Sequence, residues 1–133
     1  MSLINRDADY AICAISWIAK QGNKKEVISA GAIHKNLKIS KPFLRKILQI
    51  LVKNKILKSV KGRKGGFKLA LFSEKIFLMR IIETFQGRLE ISKCFLDTDV
   101  CPRIKNCKLR RKLHRIKRYI QGQLEAITIK DLL

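Results

Sequence analysis

A mainly α fold with one small β-hairpin is what the sequence predicts, and three observations carry the prediction. Apolar residues recur at helical spacing in five separate stretches, while one stretch alternates apolar and basic residues on either side of a glycine-rich GRKGG. The chain of 133 residues, 47% of them hydrophobic, suffices for one ordinary core. Helix, tight turn, helix and then hairpin is the order of a winged helix-turn-helix, here followed by a long C-terminal helix suited to dimerisation.

Each element has its own signals. DYAICAISWIAK, residues 9 to 20, sets Ile12, Ile15, Trp17, Ile18 and Ala19 on a mostly apolar surface after an acidic start. That predicts a buried helix capped near Asp7 or Asp9, in which Cys13, among Ala11, Ile12, Ala14 and Ile15, is a small buried apolar residue. QGNKKE breaks the helix. A short second helix runs from Ser29 to Leu37, with His34 exposed, and ends near Lys38. Ser40 is then placed to cap a third helix that tolerates Pro42 in its first turn. In SKPFLRKILQILVKNK, Phe43, Leu44, Ile47, Leu48, Ile50 and Leu51 face a core, while Lys41, Arg45, Lys46 and Gln49 point outward. The alternation from Ile56 to Phe72 is the hairpin, a wing with a glycine-rich tip. EKIFLMRIIETFQG is a further amphipathic helix stopped by Gly87, and Asp, Pro and Asn mark the following segment as a loop. The last helix, from about Leu109 to Ala126, repeats Leu109, Leu113, Ile116, Ile120, Leu124 and Ile127 at intervals of three and four. So narrow a seam expects a second copy of the same helix. The chain therefore reads as one domain over 1–133: a winged-helix part (1–86), a cysteine loop (87–107), and a dimerisation helix with a C-terminal segment (108–133).

Charge narrows the partner. Thirty Lys and Arg against ten Asp and Glu give a formal net charge of +20, which attracts polyanions. Between Glu26 and Glu74 there is no acidic residue and there are twelve Lys and Arg, whereas an ordinary solvated face mixes signs. Charge and predicted shape agree on double-stranded DNA. Ser40, Lys41, Arg45 and Lys46 on the third helix are the candidates to enter the major groove, with Arg45 the expected base reader. Lys61, Arg63 and Lys64 surround the wing glycines and suit phosphate or minor-groove contacts. No stretch approaches a membrane span and the start lacks a cleavable leader pattern, so a soluble cytoplasmic protein without a membrane partner is expected.

Three of the four cysteines fall within CFLDTDVCPRIKNC: Cys94, Cys101 and Cys107, spaced C-x6-C-x5-C. In a reducing compartment such a cluster suits metal or redox chemistry better than structural disulfides. Thiolates are the usual ligands of iron–sulfur clusters, while structural zinc sites bring cysteines closer together in sequence. A cluster-free thiol switch and a structural zinc in a constitutive nucleic-acid-binding protein remain the competing readings. An enzyme is not expected, because the chain lacks a C-x-x-C pair and a substrate cradle.

DYAI near the start, ISKPFLRKILQILVKNKILKSVKGRKGGFKLA in the middle, the three-cysteine loop and ITIKDLL at the end together resemble the Rrf2-type winged-helix transcriptional regulators over nearly the whole chain. That family includes IscR-like iron–sulfur regulators and NsrR-like nitric-oxide sensors. The resemblance implies a regulator that senses redox state, nitric oxide or iron–sulfur status, expected to be a repressor. It would act as a homodimer crossing its C-terminal helices on palindromic operator DNA, with a [2Fe–2S] or [4Fe–4S] cluster on the cysteine loop. IscR-like members carry a His three residues after the last cysteine, where this chain has Arg110. His114, a turn later, reads as a solvated member of the basic helix. NsrR-like members use an Asp on the first helix of the other subunit, and Asp9 stands at the matching position, which makes it the expected fourth ligand.

Overall fold

The computed structural model describes residues 2–22, 24–92 and 101–133. Among the described residues, five helices and one hairpin follow in the order α1 (Arg6–Gly22), α2 (Ala30–Leu37), α3 (Lys41–Lys53), β1 (Leu57–Val60), β2 (Gly66–Leu69), α4 (Leu78–Gln86) and α5 (Lys108–Ala126). Short 3-10 turns occupy Ser73–Lys75, Ile104–Asn106 and Ile129–Leu132. The architecture is the winged helix-turn-helix with an added long helix that the sequence predicts.

α1 is longer at its start than its apolar pattern suggests, and its cap differs. Asn5, not Asp7 or Asp9, accepts a hydrogen bond from the Ala8 N–H through its side-chain oxygen at 2.8 Å. Gln86 at the end of α4 holds this entry in place, accepting from the Asn5 N–H at 2.8 Å and donating to the Leu3 carbonyl at 2.9 Å. A neutral Asn fulfils the capping role as well as an Asp, and Asp7 is instead drawn to Lys46 of α3 at 3.3 Å.

Ser29 caps α2 by accepting from the Ala32 N–H at 3.1 Å. The helix ends at Lys38, which adopts the left-handed conformation (φ 54°) and returns its N–H to the His34 carbonyl. His34 is half-buried rather than exposed: its Nδ1–H donates to the Ile39 carbonyl at 2.5 Å, tying α2 to the turn before α3. With Ile39 itself buried, this turn sets the angle at which α3 leaves.

The hairpin pairs Leu57 with Leu69 and Val60 with Gly66. Ile28 and Phe67 exchange two backbone hydrogen bonds of 2.8 Å, so the wing is fastened to the residues preceding α2. Gly66 (φ +155°) permits that approach, since a Cβ there would lie 2.2 Å from the Ile28 carbonyl oxygen.

Two apolar clusters share α1. The larger gathers Ile15 and Ile18 of α1 with Ile33, Leu44, Ile47, Leu48, Leu51, Leu57, Leu69 and Ile81, and the smaller joins Leu78, Met79 and Ile82 of α4 to Leu89 and Leu124. Ile12 touches both. The C-terminal tail closes the larger one: Ile129, 0% exposed, packs in it, and Ile129 N–H donates to the Ile76 carbonyl at 2.9 Å. A capping box of Thr128 and Asp131 shapes the tail, and hydrogen bonding to Thr128 holds the Asp131 carboxyl below its ordinary pKa.

Among the described residues no helix is long and apolar enough to cross a membrane. Because Ile129 is buried in the main core, Ile129→Ala should cost about 3 kcal/mol, seen as a lower urea midpoint. An unchanged midpoint would mean that the tail is not part of that core.

Candidate functional site

The predicted binding residues fall on two exposed stretches, the start of α3 and the tip of the wing. Ser40 occupies the N-cap position of α3 but makes no capping hydrogen bond, so its hydroxyl stays exposed at the mouth of the helix beside Lys41. Unsatisfied N–H groups and the positive end of the helix dipole favour an anion there. Lys41 and Arg45 are one turn apart and exposed, and they line a groove of about 270 Å³ between α2 and α3 with His34 and Phe67. Lys46 is exposed and pairs with Asp7 at 3.3 Å; at that exposure the pair contributes less than about 1 kcal/mol and is readily exchanged for a phosphate.

At the wing, the Gly65 N–H donates to the Gly62 carbonyl at 3.0 Å. This four-residue turn puts Arg63 and Lys64 at its two central positions, the outermost point of the hairpin, with Lys61 just before. A Cβ on Gly65 would lie 2.3 Å from the Val60 carbonyl oxygen, so the tip depends on glycine. Arg63 and Lys64 also border a second groove, of about 580 Å³, whose other wall includes Trp17 and Asn36.

The cysteine segment is described only from Cys101 onward, and Cys94 lies outside the described residues. Cys101 and Cys107 are half-exposed and bracket the Ile104–Asn106 turn. Cys107 is the N-cap of α5: its Sγ accepts a hydrogen bond from the Arg110 N–H at 3.4 Å. An N–H directed at a sulfur suits a ligating thiolate, whose hydrogen bonds tune the metal it holds. Among the described residues no three His, Cys, Asp or Glu side chains converge into a metal site, so a complete ligand set would need Cys94 and a group from elsewhere. Near the start of the cysteine loop, both carboxylate oxygens of Glu90 accept from Lys117 of α5, at 3.1 and 3.2 Å in a half-buried position. Sequence reasoning missed this pair because its partners are 27 residues apart and carry no motif.

Asp9 is exposed on α1, free of the capping role that Asn5 has taken. Cys13 stands one turn below it and is exposed, which corrects the expectation of a buried residue. Ala11, Ala14 and Ile15 are the positions that α1 turns inward, and Cys13 falls on the other side of the helix. Partial burial, and then the nearby Asp9 carboxylate, push the Cys13 thiol above its ordinary pKa. His114 is exposed on α5, and Arg110 is half-buried at its first turn.

The profile of a family described as Rrf2, iron-dependent transcriptional regulator, matches residues 4–133. The HTH-type transcriptional regulator NsrR of Shouchella clausii is 31% identical over 126 residues, which cover 93% of this chain and 83% of that protein. Among solved structures, CymR, named as the global cysteine regulator of B. subtilis, superposes with a TM-score of 0.79 at 21% identity, over 99% of this chain and 96% of its own. T. potens IscR superposes with a TM-score of 0.76 at 23% identity, over 97% and 84% respectively. At such identities these two structures establish the fold alone.

The exposure and raised pKa of Cys13 have a measurable result. In a variant lacking the other three cysteines, Cys13 should be alkylated without denaturant. Its rate at neutral pH should fall below that of an unstructured thiol and rise along a pH profile displaced upward, because less thiolate is present at each pH. Labelling only after unfolding, followed by mass spectrometry, would show the thiol to be buried.

Proposed function

The chain belongs to the Rrf2 family of transcriptional regulators, and we propose that it is a homodimeric repressor whose DNA affinity is set by an iron–sulfur cluster on Cys94, Cys101 and Cys107. The observation that carries the reading is the position of Cys107, which ends the cysteine segment and caps α5 with its sulfur. A cluster, when bound, supplies a redox- and nitric-oxide-sensitive group at that junction. The division into a winged-helix part (1–86), a cysteine loop (87–107) and a dimerisation part (108–133) belongs to the same proposal.

α5 supports the dimer. Leu109 (65% exposed) and Ile116 (51%) leave an apolar strip in solvent over the first half of α5, while Ile120 and Leu124 pack on α4. A second copy would cover that strip. In a dimer, α3 of each subunit reads one half-site of a palindrome, and a change in the distance between the two α3 helices costs affinity without altering either reading surface. Arg45 contacts a base edge, Ser40, Lys41 and Lys46 orient α3 on phosphates, and Lys61, Arg63 and Lys64 hold the flanking backbone.

Asp9 is the proposed fourth ligand, given by the partner's α1. Its exposure fits that role, as does the transfer of helix capping to Asn5. The fold itself does not choose the signal, because a protein named for cysteine regulation shares it.

Anaerobically purified protein should show visible absorption with bound iron and sulfide, and Cys107→Ser should abolish both. Asp9→Ala should leave iron binding weakened and the spectrum altered. Stoichiometric zinc without colour, or neither metal, would reject the cluster and leave a zinc-stabilised or thiol-switched regulator. On DNA, Arg45→Ala should flatten the ranking of operator variants, whereas Lys64→Ala should weaken all sequences alike and lower the salt slope by about one. Operator titrations across a salt series distinguish the two, and an unchanged ranking with Arg45→Ala would remove it as the base reader.

A further inference from the structure

We infer that α5 carries a second surface for the phosphate backbone of duplex DNA, separate from α3 and the wing and formed by Lys108, Arg111, Lys112, Arg115 and Arg118. All five are exposed, and their spacing of three, four, seven and ten residues from Lys108 keeps them on one side of the helix. From Cys101 to Leu124 the chain has nine Lys and Arg and no acidic residue. Among the described residues the ion pairs are Lys46–Asp7 and Lys117–Glu90, neither of which involves these five. Four of them, Lys108 to Arg115, surround a shallow depression of about 260 Å³.

A run of like charge on one exposed helix face is self-repelling and attracts a polyanion. Ten residues of helix advance about 15 Å, and a duplex presents one charge per roughly 3.4 Å of its axis on each strand. The face is therefore long enough to meet more than one phosphate of a strand. It lies roughly opposite the stripe of Leu109, Leu113, Ile116, Ile120 and Leu124, so neither the packing of α5 on α4 nor a pairing of two α5 helices covers it.

Position separates this surface from the reading face. α5 packs on α4, whereas α3 packs on α1, α2 and β1. The two cationic surfaces are thus carried by elements packed on different neighbours. An anionic membrane is the weaker occupant. A helix lying in a lipid surface immerses its apolar face, but here Ile120 and Leu124 are already committed to α4.

The inference rests on the DNA-binding part of the proposed function and not on the cluster. The test uses the full chain as wild type, as Arg111→Gln/Arg115→Gln/Arg118→Gln, and as Lys61→Gln/Arg63→Gln/Lys64→Gln, with a random-sequence duplex titrated across a salt series. Melting curves show that each variant is folded. The α5 variant should lower the salt slope by about two to three, and the wing variant should retain binding that disappears when both sets are combined. An unchanged slope in the α5 variant, with binding lost in the wing variant, overturns the second surface and leaves the regulator reading intact. Unchanged duplex binding with lost binding to phosphatidylglycerol vesicles would assign the face to lipid and equally overturn the proposal. If the wild type ignores duplex DNA, both readings fail.

Discussion

The buried side of α1 is the constraint on which the rest of the molecule depends. Ala8, Ala11 and Ala14 are fully buried, and their small side chains let neighbouring backbones come close while Ile15 and Ile18 fill the space between. α2, α3, β2, α4 and the C-terminal tail all pack against this helix. Ile12 lies between the two apolar clusters and touches both. α3 and α4, on which α5 packs, are thus both held against one element. Larger residues at the alanine positions would separate those helices from it before disturbing either surface directly.

A net charge of +20 would oppose any compact fold if its members were scattered through it. Here the buried residues of the two clusters are all apolar, and the cations lie outside, on α3, the wing and α5. Among the described residues, one ion pair holds charge near the interior. Lys117 and Glu90 pair at 3.1 Å where both are partly screened from water, and removing one partner would leave the other poorly solvated. The excess cations are consequently available to an external polyanion, and salt should act on binding far more than on folding.

Much of the fold was legible in the sequence because its signals are local. The apolar spacing of α3, Pro42 in its first turn, GRKGG at the wing and Gly87 after α4 each determine a nearby backbone geometry. What escaped was what tertiary contacts decide. The capping of α1 by Asn5 depends on Gln86, 81 residues away. Cys13 among apolar neighbours reads as core until helical phase assigns it to the open side. His34 reads as exposed until Ile39 folds back over it. The seam of α5 is continuous in sequence, yet the structure divides it: Leu124 is buried against α4 while Leu109 and Ile116 stay in solvent. Of the candidate site, the charged residues of α3 and the wing could be read from composition and turn chemistry. The ligand set could not, because C-x6-C-x5-C gives residue types and leaves convergence to the folded chain.

That division of α5 determines how a chemical event at the cysteines can act. Both ends of the cysteine segment are fastened to the same helix, through Glu90 to Lys117 and through Cys107 to the Arg110 N–H. A ligated or oxidised sulfur is a different hydrogen-bond acceptor from a thiol, so the first turn of α5 meets the change directly. The far end of the helix is held by Leu124 on α4 and by Ile129 in the main core, and does not yield as easily. In the proposed regulator, a helix held at one end and altered at the other would tilt about the held end, and the exposed Leu109 and Ile116 lie toward the altered end. α3 contacts the core through α1, not α5. In the proposed regulator the reading surface is therefore carried as a rigid body, and the signal reaches DNA through the geometry between subunits and not through reshaping of α3.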